Sequence, residues 1–297
     1  MQITAGMVKE LRERTGAGMM DCKKALEEAS GDIEVAIETM RKSGVAKAAK
    51  KAGRIAAEGN IVIKQNEETG ETVLLEVNSE TDFVARDENF QSFAEGVAKA
   101  ILDKKPGDTD ALVVLPIDSD KNQTVEEARQ QLVAKIGENV SVRRFVIHKQ
   151  QGDRLGVYLH GTRIGVLVDM QGGDDELARD IAMHVAGHQP PPVCVSDEEI
   201  PSETLDKEKE IFVAQARESG KPDDIIEKMV AGRIAKFKKE ITLLGQPFVK
   251  DPDMTVEKLL SNAGAKVNRF IRYEVGEGLE KRSDNFAEEV MAQAKGE

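Results

Sequence analysis

"NIVIKQNEETGETVLLEV", residues 60–77, carries the reading that decides the fold. Apolar and polar residues alternate on both sides of Thr69-Gly70, the pattern of two antiparallel strands joined by a short turn. The next stretch, "NSETDFVARDENF" (78–90), leads into Phe90, Phe93, Val97 and Ile101, which fall at i, i+3, i+7 and i+11 and predict an amphipathic helix. The same plan returns downstream: "RLGVYLHGTRIGVLVDMQG" (154–172) is a second hairpin with a His-Gly turn, and "DDELARDIAMHVAGH" (174–188) a second helix. Residues 60–101 and 154–188 therefore both run hairpin, acidic loop, helix. Such an internal duplication predicts an α+β fold of two related units, each an antiparallel sheet with helices on one side.

Working outward, the first fifty residues predict three short helices. Thr4 caps the first, in which Met7, Val8 and Leu11 share a face, and Thr15-Gly16 ends it. A glycine-bracketed turn, "TGAGMM" (15–20), precedes a second helix carrying Ala25, Leu26 and Ala29. Asp32 caps a third, with Ile33, Ala36, Ile37 and Met40 as its stripe and Ser43-Gly44 as its stop. The basic run "AKAAKKAGR" (46–54) then reads as a linker or a solvated helix face.

Beyond the first unit, the polar stretch 103–124 predicts an irregular insertion, followed by a helix over 125–136 and a strand over 139–149. "QPPPV" (189–193) breaks the chain, and two long helices joined by "SGKP" (219–222) follow. Leu205 and Phe212 lie on the first, and Ile226, Val230, Ile234 and Phe237 on the second. A hairpin of this kind cannot bury both stripes alone, so it is expected to dock on the body or on a second copy. A strand within 268–281 and a terminal helix over 283–297 complete the chain. The expected division is a three-helix module (1–54), a first core subdomain (55–150), a second (151–194 and 241–281) interrupted by the helical hairpin (195–240), and a C-terminal helix (282–297).

Composition narrows the function. A net charge of −12 argues against broad contact with nucleic-acid phosphates, and the absence of Trp with only two Tyr removes stacking platforms for single strands. No stretch approaches the ~18 uninterrupted apolar residues of a membrane span, and the N-terminus has no apolar leader core. Cys22 and Cys194 stand in no metal-ligand spacing. The expectation is a cytoplasmic protein with two reduced thiols, no direct nucleic-acid partner and no membrane.

Enzyme motifs are mostly missing: the sequence has no GxxxxGK[ST], no GxGxxG after a strand, no HExxH and no CxxC. His184 and His188, at i and i+4, have no third ligand in the local sequence and read as structural rather than metal-binding. His160 in a hairpin turn has no nucleophile beside it in sequence. Met19-Met20 either close the three-helix core or form an exposed soft patch for a partner, since thioethers adapt to irregular surfaces. "TDFV" (81–84) has two readings as well. In one, an Asp caps a helix that Phe83 anchors on the sheet; in the other, a loop presents a carboxylate and an aromatic wedge to another protein.

One further set of motifs bears on the choice. "MVKELRERTGAGMMDCKKAL" (7–26), "TDFV" (81–84), "KIGENVSVRR" (135–144), "HGTRIGVLV" (160–168), "DIAMHVA" (180–186), "GQPFV" (245–249) and "RYEVGEGLEK" (272–281) occur in this order along the whole chain. In this the chain closely resembles the bacterial elongation factor Ts family. It departs from the family in the length of the polar stretch 103–124 and in the proline-rich "HQPPPVCV" (188–195).

The resemblance implies a guanine-nucleotide exchange factor for elongation factor Tu, not an enzyme, with an N-terminal module similar to a ubiquitin-associated fold. It implies that Thr81, Asp82, Phe83 and Val84 disturb the partner's Mg²⁺ and phosphate site. Met19, Met20, Ile136, His160 and Val249 would contact the partner, and no cofactor beyond the partner's own GDP and Mg²⁺ is needed. It further implies that the helical hairpin serves contacts with a second copy, as a dimer or 2:2 complex, or with the partner. Two rival readings are a scaffolding adaptor, which allows Asp82 and Phe83 to be buried, and a Mg²⁺-dependent hydrolase using Asp82 and Asp87, which requires carboxylates to converge there.

Overall fold

The structure, a computed structural model, describes residues 3–15, 17–118, 121–218 and 222–280. The terminal helix expected over 283–297 lies outside the described residues. The chain divides into two compact units. The first takes the residues up to Lys64, Leu75–Ile147 and those from Val275 on; the second takes Gln65–Leu74 and His148–Glu274.

The first unit begins with helices α1 (Ala5–Thr15), α2 (Met19–Glu28) and α3 (Ile33–Lys51). Leu11, Cys22, Ala25, Leu26 and Ala36 form their common core, and Met7, Val8, Ile37 and Met40 pack around it. Asp32 caps α3 by accepting the N–H of Val35 at 3.0 Å. The stop predicted at Ser43-Gly44 is not a stop, because α3 continues through it to Lys51. A Cβ on buried Gly44 would stand 3.7 Å from Ala134, an ordinary contact, so the glycine lies on a packed helix face and marks no break. The basic run is accordingly the last turns of a helix rather than a linker.

Strands β1 (Glu58–Asn66) and β2 (Glu71–Ser79) form the predicted hairpin, followed by α4 (Asp82–Ala85) and α5 (Glu88–Lys104). The segment expected to be irregular contains helix α6 (Thr109–Val113) and the antiparallel pair β3 (Pro116–Asp118) and β4 (Lys121–Thr124). Helix α7 (Val125–Ile136) and strand β5 (Val140–Lys149) follow, and the sheet order is β1-β2-β5. As the central strand, β2 is buried from Thr72 to Ser79 and departs from the simple alternation its sequence suggests. Phe90, Phe93, Val97 and Ile101 are all buried, as their spacing predicts.

The second unit contains β6 (Arg154–His160), β7 (Ile164–Gln171) and α8 (Asp175–Gly187). The helical hairpin is α9 (Ser202–Arg217) and α10 (Asp223–Ile241). Ala216, Ile226 and Val230 are its buried residues, with Phe212, Val213 and Ile234 against them. The two ends of the hairpin leave the unit side by side: Val193 donates to the Ile241 carbonyl at 2.9 Å and Leu243 to the Cys194 carbonyl at 2.9 Å. Strands β8 (Pro247–Phe248) and β9 (Asp251–Thr255), helix α11 (Val256–Asn262) and strand β10 (Lys266–Glu274) complete the unit. Its sheet is antiparallel, in the order β10-β7-β6, with Val166, Val168, Met170, Ile181, Val185 and Leu243 among its core.

The duplication extends further than the hairpin and helix that betray it in sequence. Within "LPIDSDKNQTVEEA" (115–128) and "QPFVKDPDMTVEKL" (246–259) the described residues fold alike. Pro116 pairs with Thr124 and Pro247 with Thr255. Each threonine caps the next helix. Val125 donates to Leu115 at 2.9 Å, and Val256 to Gln246 at 3.0 Å.

Candidate functional site

The two copies differ where strand passes to helix. In the second unit β7 reaches α8 through residues 172–174, with Gly172 and Gly173 turning the corner at φ +74° and +73°. In the first unit β2 reaches α5 through residues 80–87, and the additional length contains α4 with Thr81, Asp82, Phe83 and Val84. The crossing closes without such a turn in one copy, so the turn in the other is not a requirement of the fold.

Its backbone is held from several sides. Thr81 caps α4, accepting the Val84 N–H at 3.4 Å. The N–H and hydroxyl of Thr81 both donate to Glu138, at 3.0 and 2.8 Å. Glu138 follows Gly137, the left-handed cap of α7 at φ +88°. One residue on, the Asn139 N–H donates to Glu80 at 2.6 Å, so the two loops exchange carboxylates. Ser79 Oγ donates to the Thr81 carbonyl at 2.9 Å, and Asn60 Nδ2 to the Ala85 carbonyl at 2.8 Å. Val84 is 7% exposed and sits under the turn, whereas Phe83 is 78% exposed. The reading in which Phe83 anchors a helix on the sheet is therefore overturned, since Val84 is the buried neighbour.

Asp82 accepts Arg86 at 2.8 Å on the surface of the turn. Asp87 is occupied as the cap of α5. The Asn89 side chain, with the N–H groups of Asn89 and Phe90, holds its carboxyl below the usual range against the opposing effect of burial. The two carboxylates thus have separate tasks, which counts against the hydrolase reading. Among the described residues no three His, Cys, Asp or Glu side chains are grouped to hold a metal.

Met19 and Met20 occupy the first turn of α2 instead of the loop before it, 62% and 74% exposed. They do not close the core. Ile136 is half-buried at the end of α7, two residues before Glu138. In the second unit His160 is exposed at the end of β6, its Nδ1 3.3 Å from the Tyr158 hydroxyl. Val249 is partly exposed, and its N–H donates to Nδ1 of His184 at 3.2 Å.

His184 is fully buried, and its Nε2 lies 3.0 Å from Gln246 Oε1. With Nδ1 accepting from Val249, Nε2 carries the proton and donates. Gln246 passes the chain on, donating to the carbonyls of Pro190 at 3.0 Å and Glu240 at 2.7 Å. Burial, opposed by Gln246 and aided by His188, pushes the His184 pKa down to about 4. Both ring nitrogens are engaged, so the pair with His188 offers no free ligand from this ring. Cys22 and Cys194 are free thiols, and burial, with Glu199 and Asp197 nearby, pushes Cys194 up to about 11.

Each unit also centres on one buried carboxylate, at matching places in "VLLEVN" (73–78) and "VLVDMQ" (166–171). Glu76 accepts Arg143 at 2.9 Å, Arg144 at 2.6 Å, Asn78 at 3.1 Å and the Gly276 N–H at 2.8 Å. Burial works to raise its pKa, but these bonds outweigh it and hold the carboxyl below its usual range. Asp169 accepts His148, the N–H groups of Gln151 and Gly152, and Asn268, all within 3.0 Å. There too the bonds outweigh burial and hold the carboxyl low. Sequence reasoning missed Glu138, Glu80 and Gln246. Glu138 and Gln246 fall inside quoted motifs, but no local pattern signals a bond to a residue more than fifty positions away.

A family model described as Elongation factor TS matches residues 80–277. The chain is 63% identical over 297 residues to Elongation factor Ts of Thioalkalivibrio sulfidiphilus, covering 100% of both chains. It is 59% identical over 296 residues to Elongation factor Ts of Alkalilimnicola ehrlichii, again covering 100% of both. With Elongation factor Ts of Legionella pneumophila strain Paris it shares 56% identity over 293 residues and 99% of each chain. The end-to-end order of motifs, the duplicated core and these matches agree: the chain belongs to the elongation factor Ts family.

Proposed function

We propose that the chain is a guanine-nucleotide exchange factor that binds elongation factor Tu in its GDP form and promotes GDP release during translation elongation. Release follows from disturbance of the partner's Mg²⁺ and phosphate site, after which GTP reloads. One observation carries this reading: Phe83 stands 78% exposed on a braced turn that the duplicated unit does without. A G protein holds GDP largely through its phosphates and bound Mg²⁺. A factor whose docking requires that site to be displaced offsets the cost of displacement with its own interface.

Phe83 has the bulk and stiffness of a wedge, and Asp82 lies beside it. Met19 and Met20 supply a soft apolar contact from the N-terminal module, and Ile136, His160 and Val249 supply further docking contacts. No bond in GDP is made or broken, so the role needs no catalytic residue and no cofactor of its own. Exposed Ile211 and Ile225 on the helical hairpin support a contact of that hairpin with a second copy or with the partner.

The test is release of fluorescent GDP from elongation factor Tu, with excess unlabelled GDP and sub-stoichiometric amounts of this protein. Fast multiple-turnover release is expected. Phe83→Ala is expected to slow it about thirtyfold, the effect of a hot-spot truncation of about 2 kcal/mol. No acceleration by the unmutated protein would sink the reading and favour a scaffolding adaptor. Acceleration indifferent to Phe83→Ala would move the mechanism to the docking contacts.

A further inference from the structure

A side chain on a surface turn can displace part of a partner only as well as its own backbone is held. Helix α4 has four residues, fewer than an isolated helix needs to keep its shape. Its first residue is instead gripped from another loop, by Glu138. We propose that Glu138 is a positioning residue for nucleotide exchange: through Thr81 it fixes the turn that presents Phe83. This inference rests on the exchange reading given above.

The chemistry at this contact is selective. Thr81 offers two donors, its N–H at 3.0 Å and its hydroxyl at 2.8 Å, and they meet the two oxygens of one carboxylate. A carboxylate satisfies both because it only accepts, and charge-assisted bonds of this kind are the stronger ones. A glutamine of the same shape loses the charge, and its NH₂ group can meet the Thr81 hydroxyl only by donating to it, which turns that hydroxyl's own proton away. The reverse bond, from the Asn139 N–H to Glu80 at 2.6 Å, ties the second loop to the residue just before Thr81. Glu138 follows directly on Gly137, the left-handed cap of α7, so the grip starts from a defined helix end. Phe83 itself stays exposed to solvent, free to meet a partner.

The test measures GDP release at increasing concentrations of the wild type, Glu138→Gln, Phe83→Ala and the double variant. For Glu138→Gln the expected result is a maximal rate about tenfold lower, the size of one charge-assisted hydrogen bond, with the half-saturating concentration moved less than about twofold. In the Phe83→Ala background the same substitution is expected to cost less than about twofold, because two residues acting as one unit do not add. Amide exchange across residues 81–86 is expected to quicken in Glu138→Gln while the remaining core stays protected. Should Glu138→Gln fail to fold, Thr81→Val, which loses the hydroxyl, is compared with Thr81→Ser, which keeps it. Only the valine variant is expected to be slow.

A tenfold loss that persists in the Phe83→Ala background overturns the proposal, because Glu138 would then act independently of the turn. A Glu138→Gln protein with the wild-type rate, or equal rates for Thr81→Val and Thr81→Ser, overturns it as well. Failure of the wild type to speed GDP release shows in the unmutated arm, and it removes the exchange reading together with this role.

Discussion

Acidification should destabilise the second unit through His184. The ring is fully buried, accepts the Val249 N–H at Nδ1 and donates from Nε2 to Gln246, and its pKa lies at about 4. Released by unfolding, it returns to about 6.5. A histidine with a depressed folded pKa binds more protons when unfolded, so its contribution is fully present above about pH 6.5 and is lost as pH falls towards 4. The linkage relation gives a loss of about 2 kcal/mol at pH 5 and about 3 kcal/mol in the limit, at 1.36 kcal/mol per pKa unit. A second proton would have to enter at Nδ1, against an N–H already there, and it would disturb the chain through Gln246 to Pro190 and Glu240. The measurement is urea unfolding followed from pH 7.5 to 5 for the wild type and His184→Gln, with the imidazole titration read by NMR. The wild type should lose about 2 kcal/mol more than the variant over this range. Equal slopes, or a His184 titration near 6.5, would refute the reasoning.

Three substitutions test other parts of the architecture. Glu76→Gln leaves Arg143, Arg144 and the Gly276 N–H around a neutral group, and it should lower stability by about 3–5 kcal/mol, the cost of breaking a buried ion pair from one side, as read by thermal or urea unfolding. Val84→Ala should cost about 1–3 kcal/mol because the side chain is buried, whereas Phe83→Ala should leave stability within about 0.5 kcal/mol; equal losses from the two would contradict the assignment of anchor and exposed group.

Periodicity made the core legible. Phe90, Phe93, Val97 and Ile101 could be assigned to one buried face from spacing alone, and the two hairpins announced themselves by their turns. Misreadings came where a local signal met a tertiary reason. Gly44 reads locally as a helix stop, yet it lies on the buried face of α3 beside Ala134 and the helix goes on. The stretch 103–124 is polar enough to look irregular, yet Pro116 and Thr124 pair as Pro247 and Thr255 do. The shared Thr-Val-Glu at 124–126 and 255–257 marks the stretch as part of the repeat, although neither copy alternates enough to read as strands. The candidate site was legible as a motif and illegible as a mechanism: "TDFV" could be named, but the partners of Thr81 lie on residue 138, beyond the reach of any spacing rule.

On the exchange reading, the bracing of the turn follows from reciprocity. If the factor weakens GDP, GDP weakens the factor by the same ratio. Moving a partner from 1:99 to 99:1 between closed and open sites requires about 5.5 kcal/mol of differential affinity, more than the ~2 kcal/mol of one ordinary hot-spot side chain. Phe83 must therefore share the task with contacts such as Met19, Met20 and Ile136. Contacts on separate elements act together only if each is held while the others engage, since a turn that yields would dissipate its share as its own rearrangement. The duplication makes the same point from the other side. The second copy makes the crossing in three residues, with Asp153 accepting the Gly172 N–H at 2.9 Å, while the first has a longer crossing and both Glu138 and Glu80 to hold it. Both crossings are held by a carboxylate, but the longer one adds a turn with Phe83 exposed on it and a second carboxylate to brace it, so the added turn and its braces form one device.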